Sequence, residues 1–335
     1  INAIIVYVLL TKGFGIVSLA ISIFFCQFIK AAYYYYRVKT KYKFLKINFF
    51  KINIKDFKKL FGIGIWFFIG SISVLLIEKF DSILVGKLIN AETIAILVIS
   101  SKLFDLSKNL LFVVTNNFRP YFSTLVGNSE IEKAYNIYKN LRHFTTILAI
   151  LFSSVIIFVN ELFIFNWVGS DLYGGIMLST VLAVNLIYNC WKIPSRAYLS
   201  SNLIIKEQSI IGIIEGFCNV FLSLYLGQYY GIIGIISGTF ISGFVIQSIF
   251  YGILLHKNNL ESWQNYIKCN FNLVIQLFLI SIISFFLINI LSISTNLDFI
   301  NVFKFFIFSM TISSLLFLFN IKSILANKHL IKKIF

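Results

Sequence analysis

The feature that most constrains this chain is a succession of apolar segments, each about as long as a helix that crosses a lipid bilayer. Such a helix needs about 20 apolar residues. The segments begin with a partial one at Ile1–Leu10 and continue at Phe14–Tyr36, Leu60–Leu88, Ile94–Asn117, Phe144–Phe165, Tyr173–Trp191, Ser209–Gly227, Gly231–Leu254, Phe271–Leu291 and Asn301–Asn320. They predict an all-α fold, a polytopic transmembrane helical bundle.

Composition supports the same class and argues against others. The chain is 59% hydrophobic and 13% charged, whereas a soluble domain carries roughly a quarter charged residues. Apolar and polar residues do not alternate strictly, which argues against an outer-membrane β-barrel. In a soluble protein the net charge of +16 would suggest nucleic acid as a partner. Here the cations lie between apolar segments, so we expect contact with membrane lipids and no nucleic acid.

Basic residues are distributed asymmetrically between alternate loops. One set of loops holds nearly all of them, above all the segment 37–59, whereas the other set holds only Lys12 and Lys87. Loops rich in Lys and Arg remain in the cytoplasm, so the pattern predicts a cytoplasmic C-terminus. The segment 37–59 is expected to lie on the anionic inner leaflet.

Ionised side chains within the apolar segments are the candidate functional residues, because each costs roughly 2.5–3.5 kcal/mol at the centre of a membrane helix. They are Lys30 in the second segment, Glu78, Lys79 and Asp81 in the third, Lys102, Asp105 and Lys108 in the fourth, and Glu215 in the seventh. The charges of the fourth segment recur every three residues and therefore share an arc of about 120°.

One interpretation is a hydrated cavity whose lysines bind an anionic substrate. Its substrate-binding residues would be Lys79, Lys102, Lys108 and Lys30, with Asp81, Asp105 and Glu215 as coupling-ion ligands or charge partners. The alternative is local neutralisation, in which Lys102 pairs with Asp105 and Lys79 pairs with Glu78 or Asp81. Lys30 could instead extend to the cytoplasmic interface beside Tyr33–Arg37.

The sequence contains no pattern that indicates a metal site, a cofactor or a catalytic nucleophile. The cysteines are Cys26, Cys190, Cys218 and Cys269; they are scattered, form no CxxC motif and do not cluster with histidine. Buried apolar cysteine is the ordinary state of such residues. We therefore expect no cofactor, no bound metal and no enzymatic activity.

Two local patterns predict helix packing and a surface helix. Gly212-xxx-Gly216 and Gly234-xxx-Gly238 are small-xxx-small patterns, which are typical of close helix contacts. Ser129-x-x-Glu132 has the form of a capping box and begins a stretch with helical spacing of apolar residues. The stretch 129–142 predicts a short amphipathic helix, either on the membrane surface or as a solvated connector.

Several segments resemble oligosaccharide flippases. Phe80–Ala95, FDSILVGKLINAETIA, resembles the first helix of their C-terminal half, and Lys51–Phe61 resembles the linker between their halves. Asn166–Thr180, Pro194–Asn202 and Gly231–Ser242 resemble later turns and helix ends. The chain is similar to O-antigen flippases of the multidrug/oligosaccharidyl-lipid/polysaccharide exporter superfamily.

The resemblance implies the second lobe of a two-lobe alternating-access transporter, with two extra C-terminal helices and an N-terminal truncation. Residues 1–36 would end the N-terminal lobe, with one partial and one full helix, and 37–59 would be a basic cytoplasmic linker. Residues 60–254 would form the six-helix C-terminal lobe, and 255–335 would hold two additional helices and a basic tail.

The function implied by the resemblance is flipping of an undecaprenyl-pyrophosphate-linked oligosaccharide across the bacterial cytoplasmic (inner) membrane, for O-antigen (lipopolysaccharide) or capsule synthesis. Its partners would be the lipid-linked oligosaccharide, membrane lipids and a glycan polymerase. Two alternatives are a multidrug or cation exporter of the same superfamily and a membrane-embedded glycan polymerase or transferase. An exporter of cations would favour acidic residues over lysines, and a polymerase would favour a large outer loop.

Overall fold

The computed structural model describes residues 2–41, 54–272 and 275. Almost all of the predicted helix Phe271–Leu291, the whole of Asn301–Asn320 and most of the basic segment 37–59 lie outside these residues. The described part of the chain is helical and contains no β-strand. It divides into two compact units, Ile1–Gly62 and Ile63–Phe335.

The first unit contains two helices, α1 (Asn2–Thr11) and α2 (Val17–Lys41). The turn between them uses Gly13 and Gly15, whose φ angles are +83° and +51°. Glycine adopts such angles without a Cβ clash. The start of α2 is stabilised locally, because the Ser18 hydroxyl donates to the carbonyl of Gly15 at 2.7 Å.

The second unit is a bundle of helices that follow one another through short turns. Its elements are α3 (Ile54–Glu78, which starts in the first unit), α4 (Phe80–Leu88), α5 (Ala91–Ser100), α6 (Lys102–Gly127), α7 (Ile131–Val168), a 3₁₀ turn (Ser170–Leu172), α8 (Gly175–Ser201) and α9 (Ile205–Lys257). A further helical segment covers 263–272.

Length and composition identify the helices that can cross a membrane. Five stretches of the described residues qualify: Val17–Lys41, Leu60–Leu88, Ile131–Val168, Gly175–Ser201 and Ile205–Lys257. The prediction of an all-α polytopic bundle is therefore confirmed.

The predicted third and fourth spans are each interrupted. Lys79 separates α3 from α4, and Ser101 separates α5 from α6. At the second interruption the Asn160 side-chain amide of α7 donates to the carbonyl of Ser100 at 3.0 Å, and the Ser101 hydroxyl donates to Asp105 Oδ2 at 3.1 Å. Side chains thus supply partners for polar groups at the helix ends, as the interior of a membrane protein requires.

The predicted short helix at 129–142 is wrong in its extent and in its cap. Ser129 lies outside α7 with a φ of +62°, and the residue that precedes α7, Glu130, makes no side-chain cap bond. From Ile131 the helix continues without a break to Val168. Its apolar face does not lie on a membrane surface, because Tyr138 is buried and stacks on Tyr198 of α8 at 4.7 Å between ring centroids.

A buried ion pair attaches the segment after α9 to α7. Arg142 Nη2 lies 2.9 Å from Glu261 Oε1, and both side chains are 1% exposed. The guanidinium also lies over the rings of Tyr138, Trp191 and Tyr266, at 4.8, 5.8 and 5.9 Å from their centroids. A buried ion pair requires such additional partners to offset its desolvation.

Helix α9 contains two of the predicted spans, Ser209–Gly227 and Gly231–Leu254, which Gln228–Tyr230 separate. Gly231 has φ +57° and ψ −137°, which are not helical values, and the helix turns back there. Contacts between the two arms run in opposite directions along the chain: Ser223 donates to the Ile235 carbonyl at 2.9 Å, and Asn219 donates to Thr239 at 2.8 Å. We call this element the α9 hairpin, with arms 205–230 and 232–257.

The glycines of the small-xxx-small patterns lie at close helix contacts, as their spacing predicts. A Cβ on Gly212 would lie 2.6 Å from the Ser73 hydroxyl of α3, and one on Gly216 would lie 3.2 Å from Leu76. Within the hairpin, a Cβ on Gly238 would lie 2.7 Å from the backbone nitrogen of Ser223. Only hydrogen fits where a backbone approaches so closely.

Replacement of Gly238 by alanine is expected to lower the thermal unfolding midpoint of the detergent-solubilised protein. The methyl group would meet backbone atoms that cannot move independently, at a cost of about 1–3 kcal/mol. Gly64→Ala is the matched control, because a Cβ there meets nothing within 4 Å. That control is expected to leave the midpoint unchanged or slightly raised. Equal midpoints for the two variants would contradict the close contact in the hairpin.

Candidate functional site

Glu78, Asp105 and Lys108 come together where α3 ends and α6 begins, and Lys79 and Lys102 lie near them along the chain. We call these five residues the charge cluster. Lys108 Nζ lies 3.2 Å from Glu78 Oε1 on α3 and 3.8 Å from Asp105 Oδ1 on its own helix. The ion pair between Lys108 and Glu78 therefore connects α6 with α3, which belong to the two interrupted spans.

The local neutralisation considered as an alternative takes a different form in the structure. Asp105 pairs with Lys108 rather than with Lys102, and Glu78 pairs with Lys108 rather than with Lys79. Lys79 and Lys102 are exposed, and within the described part of the chain neither forms an ion pair. Two of the predicted substrate-binding lysines are therefore unpaired on the surface of the described helices.

The fourth predicted substrate-binding lysine, Lys30, belongs to the first unit. It lies on α2, is exposed, and forms no ion pair with any residue in 2–41 or 54–272. Tyr33–Tyr36 follow it along the helix and are exposed as well.

A second group of polar residues lies between α4 and the α9 hairpin. The Thr239 hydroxyl donates to Asp81 Oδ2 at 2.7 Å and accepts from the Asn219 side-chain amide at 2.8 Å. Asp81 Oδ1 and Asn219 Oδ1 are buried and have no hydrogen-bond partner. We call Asp81, Asn219 and Thr239 the oxygen triad, since each contributes an oxygen atom to one buried region.

Glu215, the third predicted acidic residue, has a different environment. It is fully buried and accepts a hydrogen bond from the Gln247 side chain of the opposite arm. Lys192 Nζ of α8 lies 3.7 Å from Glu215 Oε1 and 5.1 Å from the centroid of the Tyr188 ring. Glu215 is thus a charge partner, but of Lys192 rather than of the lysines in the charge cluster.

The sequence did not indicate three basic residues of this bundle as site residues. They are Lys192 and Arg196, which follow the predicted segment Tyr173–Trp191, and Arg119, which follows Ile94–Asn117. Their position beyond the apolar segments predicts cytoplasmic loops. Helix α8 continues to Ser201, and α6 continues to Gly127, so all three lie on helices. A helical phase continued past the apolar segment would have placed Lys192 near Tyr188, one turn away, but no sequence signal indicates Glu215 as its partner.

Metal ligands do not gather within the residues that the structure describes. No group of three or more His, Cys, Asp or Glu side chains occurs there that could hold a metal ion. Cys190 is buried, and Cys26, Cys218 and Cys269 are partly buried; all four are free thiols.

The fold and the polar interior define a multi-pass helical membrane protein. The family model for polysaccharide biosynthesis proteins matches residues 1–172, which is half of the chain. The chain therefore belongs to the polysaccharide biosynthesis protein family. This result confirms the resemblance to polysaccharide and oligosaccharide flippases.

Among solved structures, the chain is similar to the lipid II flippase MurJ in its inward closed conformation. The TM-score is 0.58 and the sequence identity is 19%, and the match covers 99% of this chain and 67% of the flippase. At that identity the likeness establishes a common fold. No curated protein matches the chain in sequence.

Replacement of Thr239 by valine is expected to lower the thermal unfolding midpoint, because it leaves the Asp81 carboxylate and the Asn219 amide without their shared partner. Each unsatisfied buried group costs about 1–3 kcal/mol. Thr180→Val is the matched control, since the hydroxyl of Thr180 bonds only to the carbonyl of Ile176 in its own helix. A midpoint for Thr239→Val no lower than that of Thr180→Val would contradict the hydrogen bonds of the oxygen triad.

Proposed function

We propose that this chain flips an undecaprenyl-pyrophosphate-linked oligosaccharide across the bacterial cytoplasmic membrane, by alternating access, for the synthesis of O-antigen or capsule. Three findings support the proposal: membership of the polysaccharide biosynthesis family, a fold shared with a lipid II flippase, and lysines on apolar helices. Transport without covalent chemistry follows from this assignment.

The proposed architecture has two lobes. Residues 1–36 end the first lobe, 37–59 link the lobes in the cytoplasm, 60–254 form the second lobe, and 255–335 add two helices and a cytoplasmic tail. The excess of Lys and Arg in alternate loops supports this orientation in the inner membrane. Rocking of one lobe against the other would expose a central site to each side in turn.

The observation that carries the proposal is the state of the lysines in the charge cluster. Lys79 and Lys102 are exposed and have no carboxylate partner in the described residues, although unpaired charges are costly in a membrane helix. A pyrophosphate supplies the missing negative charge. In the proposed complex Lys79, Lys102 and Lys108 contact the pyrophosphate, while the polyprenyl chain remains in the lipid.

Lys108 would exchange partners during transport. In the structure it is shared between Glu78 and Asp105, which compete with any anionic ligand. Binding of pyrophosphate would release the two carboxylates and weaken the link between α3 and α6. Such a link can therefore couple substrate binding to movement of these helices.

The oxygen triad is proposed to bind the coupling cation, with sodium as the ion. Asp81, Asn219 and Thr239 provide carboxylate, amide and hydroxyl oxygens, which are ligands of hard cations. One carboxylate matches a single positive charge. The buried and unpaired Oδ1 atoms of Asp81 and Asn219 are free to bind it. Glu215 is not proposed as a ligand, because Lys192 and Gln247 already contact it.

The alternative functions fit the lysines less well. A multidrug or cation exporter needs a cavity that attracts cations, whereas the accessible charges of the cluster are positive. A glycan polymerase or transferase would need paired groups in a sizeable outer loop, and the described connection between α7 and α8 contains only a 3₁₀ turn, Ser170–Leu172. A partnership with a glycan polymerase remains part of the proposal for polysaccharide assembly.

Combined replacement of Lys102 and Lys108 by alanine is expected to abolish complementation of a strain that lacks the gene. Each lost charged contact weakens pyrophosphate binding by about tenfold or more. Surface polysaccharide is measured by gel and immunoblot, together with the amount of the variant in the membrane. Lys133→Ala is the control, because Lys133 is exposed and pairs only with Glu130 near the start of α7.

Normal surface polysaccharide in the strain with both alanine substitutions would contradict the role of the charge cluster. Normal polysaccharide in the strain without the gene would contradict the proposed function itself.

Asp81→Asn is expected to remove the response of flipping to a sodium gradient, because the neutral amide no longer binds the cation. The assay follows a fluorescent polyprenyl-pyrophosphate glycan in proteoliposomes, with sodium replaced by choline in a parallel sample. Asp171→Asn is the control, since Asp171 is exposed in the 3₁₀ turn. Flipping that depends on sodium equally in both variants would exclude the oxygen triad as the coupling site.

A further inference from the structure

A cavity of about 380 Å³ in the second unit contains two arginines and no acidic residue. It lies between α3, α6, α8 and α9, apart from the charge cluster and the oxygen triad. Its lining consists of Phe67, Gly70, Ser71, Val74, Leu75, Arg119, Arg196, Ser200, Ile205, Gln208 and Ser209. We call this space the arginine cavity.

The two arginines lack counterions. Neither Arg119 nor Arg196 forms an ion pair with a residue that the structure describes, and Arg119 Nε is buried without a hydrogen-bond partner. Buried donors of native proteins nearly always have partners, and two neighbouring guanidinium groups repel one another. Both observations indicate that an anion belongs between these side chains.

Hydrogen bonds connect the polar side chains beside the arginines to one another and to backbone carbonyls. The Gln208 amide donates to the carbonyl of Arg196 at 3.2 Å, and the Ser200 hydroxyl donates to Gln208 Oε1 at 3.1 Å. The Ser201 hydroxyl donates to the carbonyl of Arg119 at 3.5 Å, which links α8 to α6. These bonds fix the backbone that carries both arginines and the polar side chains beside them, so less entropy is lost there when a ligand binds.

The opposite wall is apolar and accessible. Phe67 and Leu75 of α3 line the cavity and are 51% and 58% exposed. The ligand that suits both walls therefore has an anionic head and a hydrocarbon chain. Guanidinium groups bind phosphate through two parallel hydrogen bonds, so a phosphate head suits the two arginines.

We propose that the arginine cavity binds the phosphate head of an amphiphilic lipid through Arg119 and Arg196. That phosphate has two sources: the pyrophosphate of the transported lipid, or the headgroup of an anionic phospholipid. The first source rests on the proposed function and would make the cavity a second contact for substrate on the second unit. The second source is independent of that function.

The test measures binding of farnesyl pyrophosphate to the purified full-length protein in detergent, with Lys102 and Lys108 replaced by alanine in every sample so that the charge cluster does not hold the probe. Arg119→Gln and Arg196→Gln are each expected to weaken binding at least about tenfold, because each removes a charge-assisted contact. Lys206→Gln is the control. Lys206 lies near the start of α9, next to residues that line the cavity, but its amine lies over the Trp66 ring outside the cavity. Its replacement removes one positive charge and is expected to change binding less than about twofold. Arg119→Lys keeps the charge but loses the paired hydrogen bonds, so an intermediate loss is expected.

Competition identifies the source of the phosphate. Displacement of farnesyl pyrophosphate by dioleoylphosphatidylglycerol, lost in Arg196→Gln, assigns the site to phospholipid. Displacement by inorganic pyrophosphate but not by phosphatidylglycerol assigns it to the substrate. Thermal unfolding midpoints are measured for all variants, including Arg119→Lys. A variant whose midpoint is unchanged but whose binding is weaker has lost binding without losing its fold.

The proposal is overturned if folded arginine variants bind farnesyl pyrophosphate as tightly as the parent protein that retains both arginines, or if Lys206→Gln weakens binding equally. A protein that flips lipid-linked glycan but binds without these arginines contradicts only the arginine cavity. A protein that binds through the arginines but flips nothing contradicts only the proposed function.

Discussion

The structure of the second unit depends on one constraint: polar side chains on apolar helices must find partners inside the protein. A membrane interior offers no water to an unpaired polar group. Thr239 meets this need for Asp81 and Asn219 at 2.7 and 2.8 Å, and Lys192 does so for Glu215 at 3.7 Å. These contacts join α4, α8 and both arms of the α9 hairpin, so the groups proposed for coupling also hold the bundle together.

Several polar groups lack a partner among the described residues, and we attribute these gaps to ligand binding. The exposed Lys79 and Lys102, the unpaired oxygens of Asp81 and Asn219, and the two arginines of the cavity each lack a contact that the described residues could supply. These groups are of two kinds, basic side chains and unpaired oxygen atoms. The basic groups suit a phosphorylated lipid, and the oxygen groups suit a cation. The proposed transport of a phosphorylated lipid coupled to a cation gradient needs both kinds of site.

The helical class, the packing role of Gly212 and Gly238 and the turn before Gly231 could be predicted from sequence, because hydropathy and small-residue spacing report directly on helices and their contacts. The pairing of charges could not. Glu261 stands in a polar stretch of the chain and Lys192 follows an apolar segment, and both meet their partners, Arg142 and Glu215, only through the tertiary fold. The capping pattern at Ser129 was misleading, because the residue before α7 is Glu130 and Ser129 has a positive φ instead of the extended φ of a capping residue.

Solvent access to the charge cluster is the most direct test of the central claim that the lysines face water enclosed by protein. Lys102→Cys and Leu110→Cys are compared in a background in which the four native cysteines are replaced by alanine. Both positions are exposed on α6, but Leu110 lies about 80° around the helix from Lys102, on the side away from Asp105 and Lys108. We predict that a membrane-impermeant thiol reagent labels Cys at position 102 much faster than at 110, and that an added polyprenyl pyrophosphate slows the labelling at 102. Equal and slow labelling at both positions would show that the lysine faces lipid and would contradict the transport mechanism.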